Sequence, residues 1–169
     1  MIRVSFTHHL PCEPGTYWDL VLDREYGQAL FVGALGFLRY DVKEEHDMVR
    51  HVTRVIDAEP PASGLVKFAA GSLRYTEVAV LDRGESSYTF RTLHPSSKVE
   101  GRMLCTRSGG APGSGRTTRR TDLEITVRTP FVGPSVERAM AKELERSYAV
   151  SEVFTGHWLG RKRAPTYTP

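Results

Sequence analysis

The C-terminal part of the chain contains one long amphipathic segment, and this segment constrains the fold more than any other feature. Between Pro134 and Leu159, mostly apolar residues recur at steps of three and four, which places them on one face of a single helix. These residues are Val136, Met140, Leu144, Tyr148, Ser151, Phe154 and Trp158, whereas Glu137, Lys142, Glu145 and Arg146 lie off the stripe. Gly133-Pro134 marks the start of the helix and Gly160 its end. Such a helix is roughly 39 Å long and can cross a whole small domain.

The residues at the start of the chain predict one strand and then two short helices. Apolar and polar residues alternate from Ile2 to His8, which indicates a strand. A short helix is predicted to begin near Pro14 and to end by Asp23. A second helix, predicted from about Glu25 to Leu35, contains two glycines and is therefore expected to be weak or bent.

From Phe37 to Pro130 the chain is predicted to form strands joined by short turns. A hairpin with its turn at His46-Asp47 comes first, and further strand-like segments follow, including residues 65–72. The glycine-rich residues 108–115 are predicted to be a hairpin tip. The order of elements predicts an α+β fold, in which a curved antiparallel sheet of about six or seven strands wraps around the long C-terminal helix. Residues 1–160 are predicted to form this single domain, and residues 161–169 a basic, flexible tail.

Composition and charge exclude several classes of protein. The 169 residues are 40% hydrophobic and 25% charged, as in globular domains, and the net charge is only +3. No signal peptide is recognised, and the longest apolar run, residues 29–38, is too short to cross a bilayer. We therefore expect a soluble, cytoplasmic protein without an integral membrane segment, whose two cysteines are free thiols. A transient membrane contact and a monomeric or dimeric state are both compatible with these features.

Three motif-like features receive a structural rather than a functional interpretation. Residues 110–117 imitate a phosphate-binding loop, but such a loop must lead into a helix, and the next segment alternates like a strand. The histidines and cysteines show no metal-ligand spacing, so neither a metal nor another cofactor is expected. Arg116, Arg119 and Arg120 form a basic cluster without aromatic neighbours, which predicts solvated charge and no nucleic-acid binding.

His51 is predicted to point toward the interior of the sheet. It shares a face of its strand with Thr53 and Val55, whereas Arg50 and Arg54 lie on the other face. A histidine on an apolar face is usually a hydrogen-bonded core residue, and this is the first interpretation. If the fold encloses a cavity, His51 becomes a candidate anchor for the polar group of a ligand.

Several residues together resemble a known family pattern. Pro14 and the following Tyr17-Trp18-Asp19-Leu20, placed before the meander and the long terminal helix, resemble the START-related, Bet v 1-like (SRPBCC) superfamily. Residues 129–133 and Trp158-Leu159 are similar to the ending of the bacterial DUF2505 proteins of that superfamily. The resemblance implies a helix-grip fold with a deep cavity between the concave sheet face and the long helix, suited to a lipid, sterol, polyketide or other apolar molecule. Cyclases, aromatases and hydrolases of the superfamily keep acid or base side chains in this cavity.

Three functions are compatible with these observations. The first is a binding or carrier protein for a hydrophobic small molecule. The second is an enzyme on the same scaffold, with His51 as acid or base and Tyr75 or Tyr88 as its partner. The third is a structural or interaction protein without a cavity. The predicted cavity residues are Phe6, His51, Tyr75, Tyr88, Phe90, Met103, Leu123, Ile125, Met140, Leu144 and Tyr148, and Phe154 and Trp158 are expected to anchor the far end of the helix against the sheet.

Overall fold

The computed structural model describes residues 1–61, 73–109, 111 and 115–163. Within these residues the strands are β1 (Ile2–Leu10), β2 (Arg39–Asp47), β3 (His51–Glu59), β4 (Tyr75–Asp82), β5 (Ser87–Leu93), β6 (Ser97–Ser108) and β7 (Arg116–Val127). They form one antiparallel sheet in the order β1-β7-β6-β5-β4-β3-β2. The helices are α1 (Pro14–Leu22), α2 (Arg24–Gln28), which continues into a π-helical segment (Ala29–Ala34), and α3 (Gly133–Arg163). In the described part of the chain, no helix is both long and apolar enough to cross a membrane.

This architecture confirms the predicted α+β fold with a curved sheet and a long C-terminal helix. β1 and β2 occupy opposite edges of the sheet, so α1 and α2 cross from one edge to the other. The first hairpin turns at residues 48–50, slightly later than predicted, because β2 extends through Asp47. Helix α3 continues past the predicted end at Leu159, since a single glycine is tolerated inside a helix. The predicted strand at 65–72, part of the predicted tip at 108–115 and residues 164–169 of the predicted tail lie outside the described residues.

The strand register places rows of side chains side by side on the concave face of the sheet. Leu81 pairs with Val52 on β3 and with Tyr88 on β5, and Tyr88 pairs with Met103 on β6. All four side chains are buried. Trp18 of α1 covers this row, with its ring stacked on that of Tyr88 at a centroid distance of 6.3 Å. Because side chains alternate along a strand, residues two positions away form the next row on the same face.

The two ends of α3 pack on different parts of the protein. Near its start, Ala141 packs with Ile125 of β7. Near its end, Phe154 and Trp158 pack on Tyr26 of α2, each with ring centroids 5.7 Å from that of Tyr26. The prediction that these two residues anchor the helix against the sheet is therefore wrong, because the side chains of α1, α2 and the π-helical segment occupy their contact surface.

Glu137 joins the start of α3 to the end of β7. The sequence pattern places it off the apolar stripe, yet its side chain is buried. Its Oε1 atom accepts hydrogen bonds from the Met1 amino group (2.8 Å) and from the Val127 N–H (3.0 Å). The carboxylate can be buried here because it accepts hydrogen bonds from two donors, the Met1 amino group before β1 and the Val127 N–H at the end of β7.

We expect Glu137→Gln to destabilise the protein by about 1–2 kcal/mol at neutral pH, because hydrogen bonds to a charged acceptor are stronger than those to a neutral one. The same hydrogen bonds, first from Met1 and then from Val127, lower the pKa of Glu137. A lowered pKa in the folded state contributes stability above the ordinary glutamate pKa, and this stability is lost as the pH falls through the folded-state value. Denaturant unfolding of wild type and variant should therefore converge in acid. Glu145→Gln, an exposed change on the same helix, should have little effect at either pH.

Candidate ligand-binding cavity

A cavity of about 520 Å³ lies between the concave face of the sheet, the short helices and α3. Most of its wall is apolar. The short helices contribute Val21, Leu30, Phe31 and Leu35, the sheet contributes Ile56, Ala58, Phe90, Val99 and Met103, and α3 contributes Met140, Leu144 and Val150. Small-molecule sites typically have volumes of about 300–1,000 Å³, so this cavity is large enough for such a ligand.

Two stacked aromatic rings form the part of the wall that faces the short helices. The rings of Phe31 and Tyr40 have centroids 4.1 Å apart. Gly27 allows this arrangement, because a Cβ atom at its position would lie 2.9 Å from a carbon of the Tyr40 ring. The glycine that weakens the predicted second helix thus makes room for the cavity wall.

Most of the residues predicted to line the cavity do so. Those in the wall are Tyr75, Tyr88, Phe90, Met103, Met140, Leu144 and Tyr148. Phe6, Leu123 and Ile125 are not among the lining residues; they pack behind the wall, with the Phe6 ring 5.9 Å from that of Tyr148 and with Leu123 and Ile125 almost fully buried. These three therefore support the wall from the β1–β7 edge of the sheet.

His51 lies outside the cavity, contrary to the prediction. On β3 the buried side chains are Val52, Arg54, Ile56 and Ala58, so His51 belongs to the opposite face of the sheet. Its Nε2 atom lies 3.1 Å from Oδ2 of Asp82, and its side chain is 43% exposed. The face was assigned wrongly because an arginine usually marks a solvent-exposed face, and Arg54 does not.

A carboxyl group, Glu77, projects into the cavity from the middle of β4. The Tyr88 hydroxyl donates a hydrogen bond to its Oε1 atom at 2.8 Å. Burial raises the pKa of Glu77, while the hydrogen bond from Tyr88 and the charge of Arg54 oppose this effect. Arg54 itself is engaged elsewhere: its Nε lies 2.9 Å from a Glu45 carboxylate oxygen, and its Nη1 donates to the Val21 carbonyl at 2.6 Å.

The charge of Glu77 acts on four tyrosines of the cavity wall. Burial is the first cause that raises the pKa of Tyr40, Tyr75, Tyr88 and Tyr148, and the negative charge of Glu77 raises all four further. These tyrosines come from β2, β4, β5 and α3, so Glu77 is the common polar centre of elements that are distant in sequence. Of the four, only Tyr88 donates a hydrogen bond to Glu77 within the described residues.

Arg119 forms a second polar centre at the other side of the cavity wall. It is fully buried, and its Nη1 donates to the Tyr17 hydroxyl (2.9 Å) and to Ser151 Oγ (3.1 Å), while Nη2 donates to the Tyr148 carbonyl (3.0 Å). The guanidinium carbon lies 5.6 Å and 5.2 Å from the ring centroids of Tyr17 and Tyr148. The prediction of solvated charge is wrong for Arg119, because it alternates inward with buried Thr121 on β7.

Glu77, Arg54 and Arg119 are cavity residues that the sequence pattern did not identify. A signal for two of them is present in the spacing. Glu77 follows Tyr75 by two positions, and Arg119 precedes Thr121 by two, so the period of a strand places each on the concave face. The general rule that charged residues face solvent overrode this spacing.

A family described as "Protein of unknown function (DUF2505)" matches residues 5–159. No curated protein matches the chain in sequence.

Similar folds occur among solved structures. TTHA0849 from Thermus thermophilus superimposes with a TM-score of 0.71 and 14% identity, covering 96% of this chain and 100% of that chain. The Zhui aromatase/cyclase from Streptomyces sp. R1128 has a TM-score of 0.69 and 13% identity, covering 99% of each chain. A START superfamily protein from Mycobacterium smegmatis has a TM-score of 0.61 and 15% identity, covering 92% of this chain and 98% of that chain. Because the sequence identities are low, these structures are evidence about the fold alone. The sheet and the long helix thus have the same fold as these solved structures, and the match over residues 5–159 shows that the chain belongs to the DUF2505 family.

Proposed function

We propose that this protein binds or carries a hydrophobic small molecule, such as a lipid, a sterol or a polyketide-like compound, in the cavity between the sheet and α3. The observation that supports this most directly is a mainly apolar cavity of about 520 Å³ with a few polar groups inside it. Moving apolar ligand surface from water into such a cavity is favourable by roughly 25 cal/mol per Å².

The two other functions receive less support. Protein cores are packed with few voids larger than a water molecule, so a cavity of about 520 Å³ does not fit a solidly packed structural protein. The enzyme hypothesis depended on His51, which lies on the opposite face of the sheet. The similar Zhui protein is an aromatase/cyclase, but at 13% identity only its fold is relevant to this chain. Binding without turnover is therefore the better supported function.

Native mass spectrometry of protein purified from its own host tests this proposal. A co-purifying apolar molecule, released under denaturing conditions, is the expected result. Titration of the ligand-free protein with an uncharged apolar fluorescent probe, N-phenyl-1-naphthylamine, should in addition give saturable binding. A protein that carries no ligand and also fails to bind the probe contradicts the proposal.

We expect the double variant Met140→Trp with Leu144→Phe to lose most probe binding, by at least about tenfold in affinity, while it retains a cooperative unfolding transition. Both side chains line the cavity from α3, so larger side chains occupy the space that the probe needs. A tenfold loss corresponds to about 1.4 kcal/mol. Lys142→Trp, which adds similar bulk on the exposed face of the same helix, is the matched control and should bind the probe normally. Equal binding by all three proteins would place the probe elsewhere.

A further inference from the structure

Glu77 lies on the concave face beside the buried Thr92 of β5, whose hydroxyl accepts a hydrogen bond from the Val99 N–H. Glu77 pairs across the sheet with Ile56 on β3, and the next residue of β4 on the same face is Ala79, which is almost fully buried. The small side chain of Ala79 leaves space in which Tyr88, from the following row, reaches Glu77. An isolated polar group in such a place costs free energy unless all of its hydrogen bonds are made.

The hydrogen-bonding capacity of this site is only partly used. Within the described residues, Tyr88 bonds one carboxyl oxygen of Glu77 and no partner is found for the other. Within the same residues, no partner is found for the hydroxyl of Tyr75, which lies two residues before Glu77 on β4, or for that of Tyr148 on α3, and both side chains line the cavity. Arg54, the nearest cation on the sheet, is already paired with Glu45. Among the described residues, the cavity thus has an acceptor and two hydroxyl groups free to bond a ligand.

We propose that Glu77, Tyr75 and Tyr148 form a polar anchor that recognises a hydroxyl or carbonyl oxygen on an otherwise apolar, uncharged ligand. This proposal rests on the proposed binding function and narrows its ligand class. A ligand hydroxyl can donate to the free Glu77 oxygen and accept from a tyrosine, so both kinds of unused group are satisfied at once. A carboxylate ligand is disfavoured, because it would place a second acid beside Glu77 in a poorly solvated site.

Glu77 is also suited to a neutral ligand by its protonation. Its raised pKa widens the pH range in which the carboxyl group is uncharged, and in that form the free oxygen can donate to a ligand carbonyl as well. The charge of Glu77 acts on Tyr40 of β2, Tyr75 of β4, Tyr88 of β5 and Tyr148 of α3, and among the described residues the charge of Arg54 on β3 favours the ionised form of Glu77.

Three probes that differ only in one substituent test the proposal: phenanthrene, 9-phenanthrol and phenanthrene-9-carboxylate, titrated by fluorescence at neutral pH. Wild-type protein should bind 9-phenanthrol about tenfold more tightly than phenanthrene, a difference of about 1.4 kcal/mol, because only the hydroxyl of 9-phenanthrol can form hydrogen bonds with the anchor. It should bind the carboxylate more weakly than 9-phenanthrol. Glu77→Leu should remove the preference for 9-phenanthrol and leave phenanthrene binding intact or improved. Glu77→Gln, which remains neutral and keeps hydrogen-bonding groups, should retain most of the preference.

Glu145→Leu is the matched control, because Glu145 is an exposed carboxylate of α3 that is not among the residues lining the cavity. It should leave the preference unchanged. Tyr75→Phe removes one hydroxyl with little change of shape and should lower the preference even if Glu77→Leu does not fold. A preference that survives both Glu77→Leu and Tyr75→Phe overturns the anchor. Failure of all three probes to bind wild-type protein overturns the proposed function instead, so the two failures can be told apart.

Discussion

Replacement of Arg119 by alanine is expected to lower the free energy of unfolding by about 3–5 kcal/mol. Arg119 connects β7 to α1 through the Tyr17 hydroxyl and to α3 through Ser151 and the Tyr148 carbonyl. Alanine leaves these three acceptors without their donor and leaves a void between the rings of Tyr17 and Tyr148. Such a loss is a large fraction of the stability of a typical domain, about 5–15 kcal/mol.

Arg120→Ala provides a control at the next position in the sequence. The Arg120 side chain is 62% exposed and pairs with Asp122 on the surface, an interaction that contributes less than about 1 kcal/mol in most proteins. The free energies of unfolding of Arg119→Ala and Arg120→Ala, measured in urea, should therefore differ by several kcal/mol. Arg119→Met fills most of the same volume without charge, and we expect a smaller loss than with alanine, since an apolar replacement of a buried charge can be nearly neutral. Equal, small losses for Arg119→Ala and Arg120→Ala would contradict the structural role of Arg119.

Arg119 also illustrates how far the sequence could predict this fold and its cavity. Apolar periodicity defines the strands and α3, and it places Tyr88, Phe90 and Met140 correctly in the cavity wall, because apolar burial is the main determinant of which face turns inward. The same periodicity carries Arg119 inward, but nothing local in the sequence shows that Tyr17 and Ser151, from two distant helices, supply its hydrogen-bond partners.

The polar residues of the cavity could not be predicted because their burial depends on long-range partners. Arg54 is buried because Glu45, across the first hairpin, and the Val21 carbonyl of α1 receive its donors. Without those partners the pattern assigned the solvent face to Arg54 and the interior to His51, and both assignments are reversed in the structure. A shift by one residue on a strand exchanges its two faces, so one unforeseen ion pair was sufficient to misplace the candidate anchor.

Replacement of Gly101 by valine is expected to destabilise the protein by about 2–3 kcal/mol through overpacking and to weaken probe binding in the cavity. Gly101 lies on β6 between Phe90 of β5 and Leu123 of β7. A Cβ atom at its position would lie 2.5 Å from carbons of the Phe90 ring and 2.6 Å from a Leu123 methyl carbon. Strand propensity alone predicts the opposite sign, because valine is favoured and glycine disfavoured in strands.

The position of the Phe90 ring therefore determines how Gly101→Val affects stability and probe binding. The ring lines the cavity, so the motion that relieves the clash carries it into the ligand space and reduces binding together with stability. Combining Gly101→Val with Phe90→Ala removes the main clash, and the double variant should be more stable than the sum of the two single changes predicts. Gly160→Ala is the control for a glycine with open surroundings: no atom lies within 4 Å of its added Cβ, and alanine inside α3 should raise stability by about 0.5–1 kcal/mol. Urea unfolding and probe titration measure these effects. If the effects of Gly101→Val and Phe90→Ala simply add in the double variant, the Phe90 ring does not pack against Gly101.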